Sequence, residues 1–238
     1  MLEIDAIDTW RGPAQILRRV SLKVGSREAV CLVGRNGAGK TTTIDSIIGL
    51  LPMRGGKVTF QGREIGRLPP HERARLGIGY APEDAGLFTD LTVAENFQVC
   101  RWMAEASDRK DQVSEAETEQ RIFAVFPEVR KFTGRRGLFL SGGEKKMVAI
   151  ARAMALSPSV LLLDEPFEGL APVVVTRFIE AVKKIKEMGI SILIAESNLA
   201  NATRVADRLY AIDRGEIIYQ GDPRQVFENE DVMKTIRG

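Results

Sequence analysis

The chain has 238 residues, 44% hydrophobic and 28% charged, which suits one soluble domain or one domain with a subdomain. Its 34 Lys and Arg stand against 32 Asp and Glu, a net charge of +2, which gives no support for a strongly basic nucleic-acid surface. Two cysteines, Cys31 and Cys100, make no disulfide or metal framework. The N-terminus has no signal-peptide pattern, and no apolar run approaches the roughly 20 residues of a bilayer span. The expectation is a cytosolic chain whose link to a membrane runs through a partner.

Leu2 to Ile7 alternates apolar with acidic residues, as an edge strand does, and Asp8 to Ala14, with Trp10, reads as a turn. Val20 to Val24 reads as a short strand, followed by the apolar run Ala29 to Val33. Thr41 to Leu51 reads as a helix with Ile44, Ile47, Ile48 and Leu51 on one face. Gly55-Gly56 breaks the chain before a strand at Lys57 to Phe60. These short strands predict a small antiparallel sheet beside the core. Pro69-Pro70 opens a basic helix from His71 to Leu76, and Gly77 to Ala81 is a strand. Helices follow at Thr92 to Ala106, Ser114 to Phe126 and Gly142 to Ala155, with a polar link at Ser107 to Gln112. Val160 to Leu163 is a buried parallel strand ending in Asp164. Val173 to Met188 is an amphipathic helix, Ser191 to Ala195 a strand, Asn198 to Ala206 a helix and Leu209 to Ile212 a strand. A hairpin at Gly215 leads into Ile217 to Tyr219, and a last helix starts at Pro223 to Glu228.

Gly34-Arg35-Asn36-Gly37-Ala38-Gly39-Lys40-Thr41 is G-x-x-x-x-G-K-[ST], set between a strand and a helix as a phosphate-binding P-loop requires. The glycines let backbone N–H groups turn toward an anion, and the helix N-terminus adds partial positive charge. Lys40 would reach the β- and γ-phosphates, and the Thr41 hydroxyl would bind Mg²⁺. Asp164, at the end of its apolar strand, would hold the Mg²⁺ shell, and Glu165 could orient and deprotonate a water. Alone, that acidic pair could equally be solvated charges at a strand end.

Leu140-Ser141-Gly142-Gly143-Glu144 is a helix start, with Ser141 as N-cap and Glu144 completing a capping box. Between a P-loop and a strand-end aspartate it makes the chain resemble an ATP-binding-cassette (ABC) ATPase, whose signature is LSGGQ or LSGGE. The resemblance covers essentially the whole chain. It implies an α/β P-loop NTPase core with an antiparallel β subdomain (1–84 and 156–238) and an inserted α-helical subdomain (85–155). It also implies ATP and Mg²⁺ as ligands, and a head-to-tail dimer in which Ser141, Gly142 and Gly143 face the γ-phosphate held by the other subunit. Gly34, Asn36, Gly37, Gly39, Lys40, Thr41 and Thr42 then belong to the nucleotide cradle.

By the same resemblance Trp10 matches the aromatic that stacks on adenine, although a core tryptophan is the other reading. Glu83 falls where most of the family has a Mg²⁺-contacting glutamine, Gly169-Leu170-Ala171-Pro172 occupies the D-loop, and Ser197 sits at the switch-histidine position. The lone His71 reads as a surface residue. Serine cannot carry the charge of a histidine, which implies slow or partner-dependent hydrolysis. Glu83 together with Gly169-Leu170-Ala171-Pro172 looks like the LivF branch, ATPases of branched-chain amino-acid importers, and Phe88 to Phe97 resembles that branch too. The implied partners are a LivG-like paralogue or a second copy, transmembrane permease subunits and, indirectly, a periplasmic substrate-binding protein, with no nucleic acid. The chain would lie on the cytoplasmic face of the membrane. Another cargo, such as urea, amides or lipid, or a soluble non-transport ABC ATPase, are the alternatives.

Overall fold

The computed structural model describes residues 1–107, 109 and 113–237, so most of the expected polar link at Ser107 to Gln112 lies outside the described residues. Four antiparallel strands, Leu2–Arg11 (β1), Ala14–Val24 (β2), Met53–Phe60 (β4) and Arg63–Glu64 (β5), pair in the order β2-β1-β4-β5. A second sheet contains Ala29–Val33 (β3), Ile78–Ala81 (β6), Val160–Asp164 (β7), Ser191–Glu196 (β8), Arg208–Asp213 (β9) and Glu216–Gly221 (β10). Its order is β10-β9-β3-β8-β7-β6, parallel from β9 to β6, with β10 antiparallel to β9.

β3, β7 and β8 are buried at every position, so both of their faces must be apolar. Val30, Leu32 and Leu193 join a core with Ile44 and Ile47 of the helix Lys40–Ile48 (α1) and with the antiparallel sheet. Cys31, Val33, Leu161 and Ile194 take the opposite face and pack with helices. Fully burying one such Leu or Ile stabilises by about 1.5–3 kcal/mol.

The remaining helices are Pro70–Arg75 (α2), Val93–Glu105 (α3), Glu115–Val125 (α4), Gly142–Met154 (α5), Pro172–Glu187 (α6), Leu199–Val205 (α7) and Glu230–Arg237 (α8). Capping boxes start α3 at Thr92/Glu95 and α5 at Ser141/Glu144, each satisfying amides that the helix leaves open. α3, α4 and α5 share one core through Phe97, Ile122 and Val148, and Phe126 lies 5.7 Å from Phe178 of α6.

Five local expectations are corrected. β1 is not an edge strand: it lies between β2 and β4. It also runs to Arg11, so Trp10 stands in a strand and not in a turn. Thr9 looked like a turn residue because it is polar, yet it is fully buried and its hydroxyl bonds Ser46 Oγ at 2.9 Å. Gly55-Gly56 does not break the chain but lies inside β4, where its register against β1 shifts. Gly56 has φ +75°, and a Cβ there would meet the Ala6 carbonyl oxygen at 2.4 Å. The last helix divides into a 3₁₀ turn at Gln225–Glu228 and α8. The helix after the P-loop stops at Ile48, where Gly49 adopts φ +85°. Buried Arg73 holds that end, donating to the carbonyls of Ser46 and Ile47 at 2.8 Å each.

Candidate active site

Parallel α/β sheets place sites beyond the carboxyl ends of their strands. Here those ends deliver Gly34 after β3, Glu83 after β6, Asp164 closing β7 and Glu196-Ser197 at the end of β8. In the sheet register Val33 stands beside Glu196 and Asp164 beside Ala195. A groove of about 350 Å³ opens there, lined by Asn36, Gly37, Gly39, Lys40, Thr41 and Thr42 on one side and by Glu83, Glu165 and Glu168 on the other. Arg11 and Ile16 complete it.

The loop needs glycine for steric reasons at two positions. A Cβ on Gly34 would lie 2.4 Å from the Ile212 carbonyl oxygen, and Gly39 has φ +116°. α1 starts at Lys40 with no side-chain cap, so its first-turn amides face the groove as anion donors. Lys40 is 5% exposed. Its ammonium donates to the Gly34 carbonyl at 2.8 Å and the Arg35 carbonyl at 3.2 Å, and pairs with Glu165 Oε1 at 3.0 Å.

Glu165 has φ +44°, a left-handed backbone that a non-glycine residue holds only under constraint. The constraints are visible. Its N–H donates to the Ala195 carbonyl at 2.9 Å. Its Oε2 accepts from the Ser197 N–H at 3.0 Å and the Ser197 hydroxyl at 3.1 Å. Its carbonyl accepts from Lys146 Nζ at 2.6 Å. Lys40 and Ser197 thus each contact the Glu165 carboxylate, one at each oxygen.

Asp164 is 2% exposed, and neither carboxylate oxygen has a hydrogen-bond partner. Burial pushes its pKa up to about 6. The Thr41 hydroxyl favours the charged form from outside hydrogen-bonding geometry, while Glu165, Glu83 and Asp45 oppose it. An orphaned buried carboxylate beside a P-loop hydroxyl suits a hard divalent cation. Among the described residues no three His, Cys, Asp or Glu side chains form a ready-made metal site, so Mg²⁺ would need phosphate oxygens as well. Exposed Glu83 lies on the groove rim, where partial desolvation and the facing Glu168 carboxyl raise its pKa.

Other expected residues stand outside this groove. Trp10 does not line it; its ring is half-buried with the Arg54 guanidinium 4.9 Å from the centroid. Ser141, Gly142 and Gly143 do not line it either. Ser141 and Gly142 are exposed, and a Cβ on Gly142 would meet nothing within 4 Å. Gly143 sits against Leu170 and Val174, so the start of α5 and the 169–172 loop form one surface. Sequence reasoning passed over Glu196, which is 1% exposed with an unpartnered Oε2. Its pKa is pushed up to about 7 by burial and then by Glu165. An acid closing an apolar strand, the feature that singled out Asp164, was the available signal. Lys146 and Arg11 left no such trace.

The family model for ABC transporters matches residues 17–168. The lipopolysaccharide export system ATP-binding protein LptB of Haemophilus influenzae is 38% identical over 226 residues, 94% of this chain and 91% of that protein. The high-affinity branched-chain amino acid transport ATP-binding protein BraG of Pseudomonas aeruginosa is 32% identical over the full length of both chains. The crystal structure of the ADP conformation of MJ1267, an ATP-binding cassette of an ABC transporter, superposes with a TM-score of 0.85 at 28% identity, covering 100% of this chain and 98% of that one.

Proposed function

This chain belongs to the ABC transporter family, as an ATP-binding subunit whose activity is ATP hydrolysis, and on that premise we propose how its residues perform the reaction and what it drives. The observation that carries the reading is the buried contact of Lys40 with Glu165 beside the unpartnered carboxylate of Asp164. Triphosphate entering the P-loop offers Lys40 stronger acceptors than the Gly34 and Arg35 carbonyls, so its ammonium turns to the β- and γ-phosphates. Glu165 is released from its counter-ion while the two Ser197 bonds keep it aimed. It then accepts a proton from the water that attacks the γ-phosphorus as the bond to the β-phosphate oxygen breaks. Thr41 and Asp164 would hold Mg²⁺, with Glu83 at the rim, and the metal would neutralise phosphate charge.

The exposed N-terminus of α5, with Ser141, Gly142 and Gly143, supports completion of the site on a second cassette. Trp10 would take adenine only after releasing Arg54; Arg11 and Ile16 already face the groove. The division into a core at 1–84 and 156–238 and a helical part at 85–155 is part of the same reading, since the two would move against each other. An apolar groove of about 290 Å³ between α2, α3 and α5, with exposed Leu50 and Phe88, would receive a membrane subunit at the cytoplasmic face. No helix among the described residues is long and apolar enough to cross a membrane.

For cargo, import of branched-chain or other hydrophobic amino acids is the first reading, supported by the end-to-end match with an amino-acid transport ATPase and by Glu83. Lipid-linked export is the second, favoured by higher identity to a lipopolysaccharide export ATPase. Radiolabelled leucine uptake in cells lacking the chain separates them: a defect restored by the plasmid-borne gene supports import, and normal uptake overturns it. The catalytic part is tested by Glu165→Gln, which should trap an ATP-dependent dimer on gel filtration. A variant that stays monomeric with bound ATP contradicts the two-cassette site.

A further inference from the structure

We propose that Lys146 is a positioning residue for hydrolysis, fixing the main chain of Glu165 from the helix that begins with the signature motif. The inference rests on the reading of Glu165 as the residue that activates water. Lys146 lies in the second turn of α5, and its Nζ donates to the Glu165 carbonyl at 2.6 Å. The bond crosses between two separate elements and ends on Glu165, a non-glycine residue held at a left-handed φ of +44°. Such a backbone persists only where its surroundings enforce it.

The charge around this bond gives the second argument. Glu168, Glu83, Glu196 and Glu165 all act on the Lys146 ammonium, and Glu165, Glu83 and Asp45 act on Asp164. Lys40 contacts Glu165 through Oε1, and Arg11 pairs with Asp45 at 2.7 Å. Once a nucleotide draws Lys40 to its phosphates, Lys146 is the protein cation left facing Glu165. It then keeps the carboxylates from driving Glu165 out of its aimed position, because like charges at such spacing repel strongly in a dry site. Lys146 does not line the groove, so it acts through Glu165. Because α5 carries Ser141 and Gly142 at its start, the same bond makes the position of the signature surface felt at the catalytic carboxylate.

The test measures ATP turnover and ATP binding by the full-length chain and by Lys146→Met, Lys146→Arg and Glu165→Gln. Lys146→Met keeps the methylene stem and loses the donor. It should lower kcat about tenfold, with KM and ATP affinity changed less than about twofold. Lys146→Arg should recover most of the loss, because its guanidinium also donates to a carbonyl. Wild-type kcat in Lys146→Met overturns the proposal. So does a loss shared equally by kcat and ATP affinity, or one that arginine does not repair while the thermal midpoint falls, since each marks a merely structural lysine. Glu165→Gln turning over normally would instead sink the reading of Glu165, whatever Lys146 does.

Discussion

Glu196→Gln is the substitution whose effect the structure predicts in most detail. Glu196 closes β8 with 1% exposure; Oε1 accepts the Asn198 N–H at 2.8 Å and Oε2 has no partner. Burial and the neighbouring Glu165 raise its pKa from 4.5 to about 7. An acid whose folded pKa lies above its unfolded one binds its proton more tightly in the native state. The chain therefore loses stability as pH rises between those two values. A shift of that size corresponds to about 3 kcal/mol once the group is ionised on both sides. Glutamine keeps the Oε1 acceptor and never ionises. Urea unfolding of the nucleotide-free chain should then show Glu196→Gln more stable than wild type by about 2–3 kcal/mol at pH 8, with the gain falling below about 1 kcal/mol at pH 5. A gain that does not change with pH, or a loss at pH 8, would mean that the effect comes from packing and not from buried charge.

Gly34→Ala should cost at least about 1–3 kcal/mol, read as a lower thermal midpoint, since its Cβ would lie 2.4 Å from the backbone oxygen of Ile212. Ser197→Ala removes the 3.1 Å hydroxyl bond to Glu165 while keeping the N–H, and should slow turnover about tenfold at unchanged ATP affinity. Ser197→His should speed hydrolysis if serine limits it, and an unchanged rate would discard the lost-switch explanation. Asp164→Asn should abolish the Mg²⁺ dependence of ATP binding, measured by titration with and without EDTA; a preserved dependence places the metal elsewhere.

The candidate site residues were legible where a local pattern demands them. The P-loop, Asp164 and the Ser141 capping box are short, strongly constrained words, and the structure folds each as its pattern requires. The parallel strands were legible because burial on both faces leaves a continuous apolar run. What escaped depends on partners distant in the chain. Trp10 and Thr9 read as a turn because nothing local announces that Ser46 satisfies Thr9 inside the sheet. Gly55-Gly56 read as a break because its reason is the approach of Ala6 from another strand. Lys146 read as one more charge on a helix. Its target, the Glu165 carbonyl, is a backbone atom with no sequence signature.

In the proposed mechanism Glu165, aimed by Ser197 and freed by Lys40, activates the water that cleaves ATP. Phosphate release by the purified chain with saturating Mg²⁺ and ATP, set against Glu165→Gln at equal nucleotide occupancy, tests it most directly. Turnover is expected in the wild type, with a loss of at least about a hundredfold in the variant while ATP stays bound. Equal rates of phosphate release from the two proteins would contradict it.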